Sequence, residues 1–295
     1  MVETFVAAIV CGLFIGILSG LLGIGGGMVM VPILRLGFGL PAVGATATSL
    51  FTIVPTSVTG FVTHIKNKTC VPKLGVAAGI GGAIMSPVGV LLANASPAWL
   101  VMLVAAIIMC YSSFNMFRKA FKAPKEESLV SKVRQGISQR KNAMDSALDH
   151  EAHAKARQER LAEMEALRPD LGASQLFKGA LIGLGAGLAS GYIGVGGGFI
   201  MVPLFISLLG ISMKQASGTS LIAILILAIP GVVTQGMLGN IDYVAGLALA
   251  CGSIPGAALG ATLIQYVPER RLRFLFGWFL VLGAVLLAVN EFGVL

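Results

Sequence analysis

Two clusters of glycine are the positions where this chain could do chemistry. Gly23-Ile-Gly-Gly-Gly27 and Gly194-Val-Gly-Gly-Gly198 interrupt long apolar runs. Each glycine weakens a helix by about 0.8–1.0 kcal/mol relative to alanine, so a cluster at one point breaks it there. The segment that resumes after such a break presents N–H groups with no intrahelical partner, at the positive end of its dipole, where an anion can bind. Pro32 and Pro203 then limit the resumed segments, having no N–H to donate. Gly23, Gly25, Gly26 and Gly27, with Gly194, Gly196, Gly197 and Gly198, are therefore the first candidate substrate ligands. Close helix packing through small residues is the competing explanation of a single Gly-x-Gly. Duplication of an interrupted apolar segment favours a transporter site. A dinucleotide fingerprint is excluded because no βαβ context surrounds either cluster.

Hydroxyls form the second constellation. Thr46, Thr48 and Ser49, and likewise Ser217, Thr219 and Ser220, open apolar runs after a short loop. There they can cap a helix or offer neutral donors to a substrate, and Thr48, Ser49, Thr219 and Ser220 join the candidate ligands. Apart from Asp242 at a loop edge, no Asp or Glu falls inside an apolar run. Cation pumps and proton relays usually need one there, so an anion held by backbone and hydroxyl donors fits better. His64, followed by Lys66 at the end of a run, is either a boundary histidine or a titrating group.

The elements that must position these residues are membrane helices. Charged residues are only 12% of the chain and the mean hydropathy is +0.89, more apolar surface than a water-soluble fold can cover. Charge-free runs at 4–34, 36–65, 74–117, 179–213, 215–241 and 243–268, with a shorter one at 274–290, reach the length of about 20 residues that crosses a bilayer. They lack the alternation of membrane strands, so an all-α polytopic protein is expected. The first run has no basic residue before it and exceeds the h-region of a signal peptide, which favours a membrane segment. Cys11, Cys70, Cys110 and Cys251 are scattered without a C-x-x-C pair, which points to core packing rather than to disulfides or zinc.

The chain repeats itself at an offset of 171 residues. Between Gly12 and Leu34, 12 of 23 positions equal their partners at Gly183 to Phe205, and Ala45-Thr-Ala-Thr-Ser-Leu50 lies over Ala216-Ser-Gly-Thr-Ser-Leu221. Gly60, Gly75 and Gly81 fall on Gly231, Gly246 and Gly252. Three parts follow: a first transmembrane repeat over 1–118, a charged and partly helical connector over 119–175, and a second transmembrane repeat over 176–295. The connector's His150 and His153 sit three apart, but their order is not H-E-x-x-H, and a solvated charged face is the expectation.

Basic loops stay in the cytoplasm, which places the connector there. Each repeat is then read as a Gly-broken hairpin plus three transmembrane helices, giving an odd number of crossings and an inverted second repeat. Lys66, Lys68, Lys73, Lys214 and Arg270 to Arg273 fall inside, leaving Arg35 outside with Glu3, Asp242 and Glu291. Four simple crossings per repeat would instead put Glu269 to Arg273 outside.

Gly-Ile-Gly-Gly-Gly with Val31-Pro32, then Ala-x-x-Thr-Ser-Leu, present in both halves, resembles the sulfite exporter TauE/SafE family of membrane permeases. The resemblance covers nearly the whole chain outside the connector. It implies an inner-membrane secondary transporter of small anions such as sulfite or organosulfonates, or of other organic anions, working by alternating access at the repeat interface. The implied partners are a small anionic substrate, the lipid bilayer and a coupling proton or sodium ion, with homo-oligomerisation left open. No cofactor, metal centre or nucleic acid is implied. Three histidines, two of them in the connector, and no carboxylate inside an apolar run leave no acid–base constellation, so an enzyme is not expected. A non-transporting assembly protein is the remaining alternative, supported only by the connector. Reporters fused to the two termini should both read the extracytoplasmic side; cytoplasmic signals from both would remove the inverted arrangement.

Overall fold

Glycine at every fourth position gives a helix one face of bare backbone, and three helices of this chain use such a face to pair. The computed structural model describes residues 2–122 and 172–292, and among them every regular element is a helix. The first half contains α1 (Val2–Leu22), α2 (Gly27–Phe38), α3 (Ala42–Lys66), α4 (Pro72–Ala95) and α5 (Ala98–Lys122). The second contains α6 (Ala173–Ile193), α7 (Gly198–Leu208), α8 (Met213–Met237), α9 (Tyr243–Leu263) and α10 (Glu269–Phe292). Each helix of the second half starts 171 residues after its counterpart in the first. The connector's residues 123–171, including His150 and His153, lie outside the described residues.

Pairing crosses the halves. On α1, Gly12, Gly16 and Gly20 face Leu249, Ser253 and Ala257 of α9, while Gly252, Gly256 and Gly260 of α9 face Ile9, Leu13 and Ile17 of α1. The same ladder joins α6 to α4: Gly183, Gly187 and Gly191 meet Ala78, Gly82 and Ser86. The approach is so close that a Cβ on Gly183 would lie 1.9 Å from the Ala78 carbonyl oxygen, and one on Gly252 would lie 1.9 Å from that of Ile9. Without a hydrophobic drive between helices in lipid, such backbone proximity supplies the dispersion contacts that hold them together.

The contacts also fix direction. Residue numbers rise together along α1 and α9, along α3 and α9 (Thr48 at Asp242, Thr56 at Ser253, Asn67 at Ala261), and along α4 with α6 and α8. Between α3 and α8 they run oppositely, with Gly60 at Leu221 and Gly231 at Leu50. Helices α1, α3 and α9 thus point one way and α6, α8 and α4 the other. Each helix of one set runs against its counterpart at the 171-residue offset. The flanking pair obeys the same rule: Ser113 of α5 donates to the Gly277 carbonyl of α10 at 3.0 Å, and Arg273 reaches Lys119.

Hydroxyl side chains are buried together with the apolar core, and large apolar side chains also cover the outside. Thr48, Ser49, Thr52, Thr56, His64, Thr219 and Ser220 are fully buried, whereas Ile84, Ile107, Phe114 and Trp278 are exposed. That apolar exterior, with six helices among the described residues long and apolar enough to cross a bilayer, makes this a multi-pass membrane protein. The α1 and α6 arms differ from short re-entrant strokes: each has 21 residues, about 31 Å at helical rise, while α2 and α7 have 12 and 11. Cys110 and Cys251 are exposed on the outside of the bundle, which corrects the expectation of core packing, and only Cys70 is buried. Sequence periodicity could not reveal this, because a small thiol suits a lipid-facing surface as well as a protein interior.

Replacing Gly183 with Ala should destabilise the protein by about 1–3 kcal/mol through overpacking against backbone. Gly185→Ala, two residues along the same helix with nothing within 4 Å, should leave stability unchanged or raise it. Denaturant unfolding in mild detergent measures both.

Candidate functional site

The two breaks are built from backbone that only glycine adopts easily. Gly23, Gly25 and Gly26 have φ of 72°, 86° and 82°, and Gly194, Gly196 and Gly197 have 75°, 88° and 70°, all in the left-handed region that penalises a Cβ. Gly194 closes α6 by donating its N–H to the Ser190 carbonyl at 2.7 Å, and Gly23 closes α1 on Ser19 at 2.8 Å. Gly26 and Gly197 are the N-caps of α2 and α7, and neither helix receives a side-chain cap. Both helices therefore begin inside the bundle with amide ends and positive dipole poles that no side chain has neutralised.

The breaks lie against each other. A Cβ on Gly27 would come within 2.8 Å of the Val195 Cα, and one on Gly198 within 2.3 Å of the Gly23 carbonyl oxygen and 2.9 Å of the Ile24 Cα. Ile53 and Ile224, counterparts at the 171 offset, border both Gly25 and Gly196. All eight candidate glycines are thus brought to one buried place between the halves.

The candidate hydroxyls arrive by a different route. Ser220 donates to the Gly23 carbonyl at 2.7 Å, and Ser49 donates to the Gly194 carbonyl. Each serine fastens the break of the opposite half. Thr48 accepts the Asp242 N–H at 2.9 Å and Thr219 accepts the Val71 N–H at 2.9 Å, so these two satisfy the entries of α9 and α4 rather than the breaks. A serine hydroxyl has one proton. With that proton on a carbonyl, and with the Ser217 carbonyl also within 2.8 Å of Ser220, these two serines shape the breaks rather than offer a free donor. Thr46 and Ser217 bond to carbonyls nearby, Thr46 to Val43 and Ser217 to Leu22 and Met213.

His64 is wholly buried, and both ring nitrogens are engaged, Nε2 with the Gly20 carbonyl at 2.8 Å and Nδ1 with Thr69 Oγ1 at 2.7 Å. It ties the last turn of α1 to the α3–α4 corner. Its counterpart is Gln235, which accepts from Asn240, the counterpart of Thr69. Sequence reasoning passed over Ser19 and Ser190. Both are buried in the final turns of α1 and α6, beside the Gly26 and Gly197 caps, and neither hydroxyl has a partner. A signal was present: they are one of the identities between the repeats.

Comparison with known proteins places this geometry in context. The family model described as sulfite exporter TauE/SafE matches residues 8–287. Two relatives from Bacillus subtilis are the probable membrane transporter proteins YunE, 28% identical with 88% of each chain covered, and YdhB, 26% identical with 86% of this chain and 88% of the other covered. Probable membrane transporter protein MJ0441 of Methanocaldococcus jannaschii is 26% identical over 95% of this chain and 94% of its own. No solved structure matches the chain.

Ser49→Ala and Ser220→Ala each leave a buried carbonyl of a break without its donor, and each should lower stability by roughly 0.5–2 kcal/mol. Thr262→Ala, whose exposed hydroxyl bonds only within α9, should not. Unfolding titrations of the purified protein in detergent compare the three.

Proposed function

Because the chain belongs to the sulfite exporter TauE/SafE family and is a membrane transporter, we propose that its cargo is a small oxyanion, sulfite or an organosulfonate, held where the two glycine breaks face each other. The observation that carries this reading is the convergence of two helix N-termini without side-chain caps on one buried place between the halves. Amides and dipoles supply a positive potential without a fixed cation. That balance suits transport, since a lysine or arginine buried beside the cargo would oppose its release.

Alternating access follows from the arrangement of the halves, which we read as inverted repeats. Counterpart helices run in opposite directions, so exchanging the conformations of the two halves exchanges the side to which the site opens. The serine bonds of Ser49 to Gly194 and Ser220 to Gly23 are the contacts that must remake as one break moves against the other. Coupling to a proton or a sodium ion is compatible with this scheme.

In the bilayer, one end of the bundle gathers Lys66, Lys73, Lys214 and Arg273, as shown by Lys214 donating to the Gln265 carbonyl and Asn67 to that of Ala261. The opposite end carries Asn94, Asn240 and Asp242. On the positive-inside bias, the basic end and the connector that leaves it face the cytoplasm of an inner membrane. Another organic anion is the alternative cargo.

Purified protein in liposomes should drive flux of sulfite or an alkylsulfonate above the empty-vesicle rate. Gly26→Leu and Gly197→Leu, at φ of 82° and 70°, should reduce that flux below about a tenth while insertion persists. Retained flux in both variants would move the site elsewhere, and absent flux for every such anion in the wild type would reject the function.

A further inference from the structure

Ser19 and Ser190 differ from most other hydroxyls in the membrane helices. Serine and threonine in such helices ordinarily return their proton to a carbonyl one turn back, as Thr52 does to Thr48, Thr56 to Thr52, Thr63 to Thr59, Ser217 to Met213 and Thr234 to Pro230. Ser19 and Ser190 are fully buried and make no such bond. A buried hydroxyl without a partner is unfavourable and uncommon in folded proteins.

Their location supplies the reason. The Cβ of Ser19 lies 3.5 Å from where a Cβ would stand on Gly26, and that of Ser190 lies 3.4 Å from the same point on Gly197. Gly26 and Gly197 are the N-caps of α2 and α7, whose first amides receive no side-chain acceptor. Two independent deficits, a hydroxyl proton without an acceptor and a helix N-terminus without a cap, thus adjoin each other, and they do so twice. Ser57 and Ser86 are also buried without partners, but their counterparts are Ala228 and Ala257, so neither belongs to a duplicated arrangement.

Resting on the function proposed above, we infer that Ser19 and Ser190 are substrate-binding residues, each donating its hydroxyl proton to one oxygen of an oxyanion whose other oxygen takes the amides at the start of α2 or α7. The ligand class this selects is a small anion with at least two acceptor oxygens. Glycine is required at both caps: a Cβ at Gly26 would meet Ile15 Cγ2 at 2.9 Å and one at Gly197 the Ala186 carbonyl oxygen at 2.9 Å, with the serine Cβ also close in each case.

Ser19→Ala and Ser190→Ala test the assignment in liposomes containing the full chain, with sulfite and ethanesulfonate as probes. Each variant should raise KM about tenfold, as expected for one lost hydrogen bond to a charged acceptor. The melting temperature in detergent should hold or rise, because the hydroxyl removed had no partner within the protein. A lowered melting temperature with unchanged KM would make the serines structural and overturn the inference. A change confined to the sodium dependence of flux would assign the hydroxyls to a cation and overturn it as well. Wild-type flux with unaltered KM in both variants sinks the serine assignment alone, whereas no wild-type flux of either probe sinks the proposed function and this ligand with it.

Discussion

A polypeptide that leaves the helical path inside a bilayer exposes amides and carbonyls that lipid cannot satisfy, and the rest of this structure depends on how that requirement is met. Here each interruption is completed by the other half of the chain. The carbonyl of Gly23 receives Ser220 and that of Gly194 receives Ser49, so each break takes a donor from the opposite half. The first amides of α2 and α7 receive no side-chain cap and face inward. Structural completion and the anion site proposed above therefore draw on the same few residues.

The glycine ladders make this completion geometrically feasible. Because α1 lies on α9 and α6 lies on α4 at backbone contact, each long arm is held by the opposite half while its break projects toward the centre. Larger residues along the ladders would widen both pairs, and the serines of α3 and α8 would lose their reach to the carbonyls. The same arrangement leaves the halves chemically unequal. Thr52, Thr56 and Ser57 of α3 stand where α8 has Ala223, Leu227 and Ala228, and His64 stands where α8 has Gln235. Thr56 meets Ser253 at 2.6 Å and Thr52 meets the Gly246 carbonyl at 3.2 Å, so polar contacts between α3 and α9 have no full equivalent between α8 and α4.

Much of the arrangement of the breaks was legible because it depends on residue type at fixed spacing. The glycine clusters announce broken helices through propensity alone, and their duplication with the Thr-Ser-Leu segments at one offset announces that the two breaks belong together. The division of labour among the hydroxyls was not legible. Thr48 and Ser49 are adjacent, yet one accepts the N–H of Asp242 at the entry to α9 and the other holds a break; adjacent residues on a helix point about 100° apart, and their roles follow from which neighbour each direction meets. Ser19 and Ser190 were overlooked for a related reason. A serine in an apolar helix is usually self-satisfied, and only coordinates reveal that these two are not.

The sequence by itself determined that this is an all-helical membrane protein with two glycine interruptions, since hydropathy, run length and helix propensity are local properties of the chain. Tertiary structure alone decided that the glycines at positions 12, 16 and 20 and at 252, 256 and 260 pair helices from different halves, that counterpart helices run oppositely in contact, and that the breaks meet. Those outcomes depend on distances between residues far apart in the chain. A periodic small-residue face states that a partner must come close without stating which helix it will be.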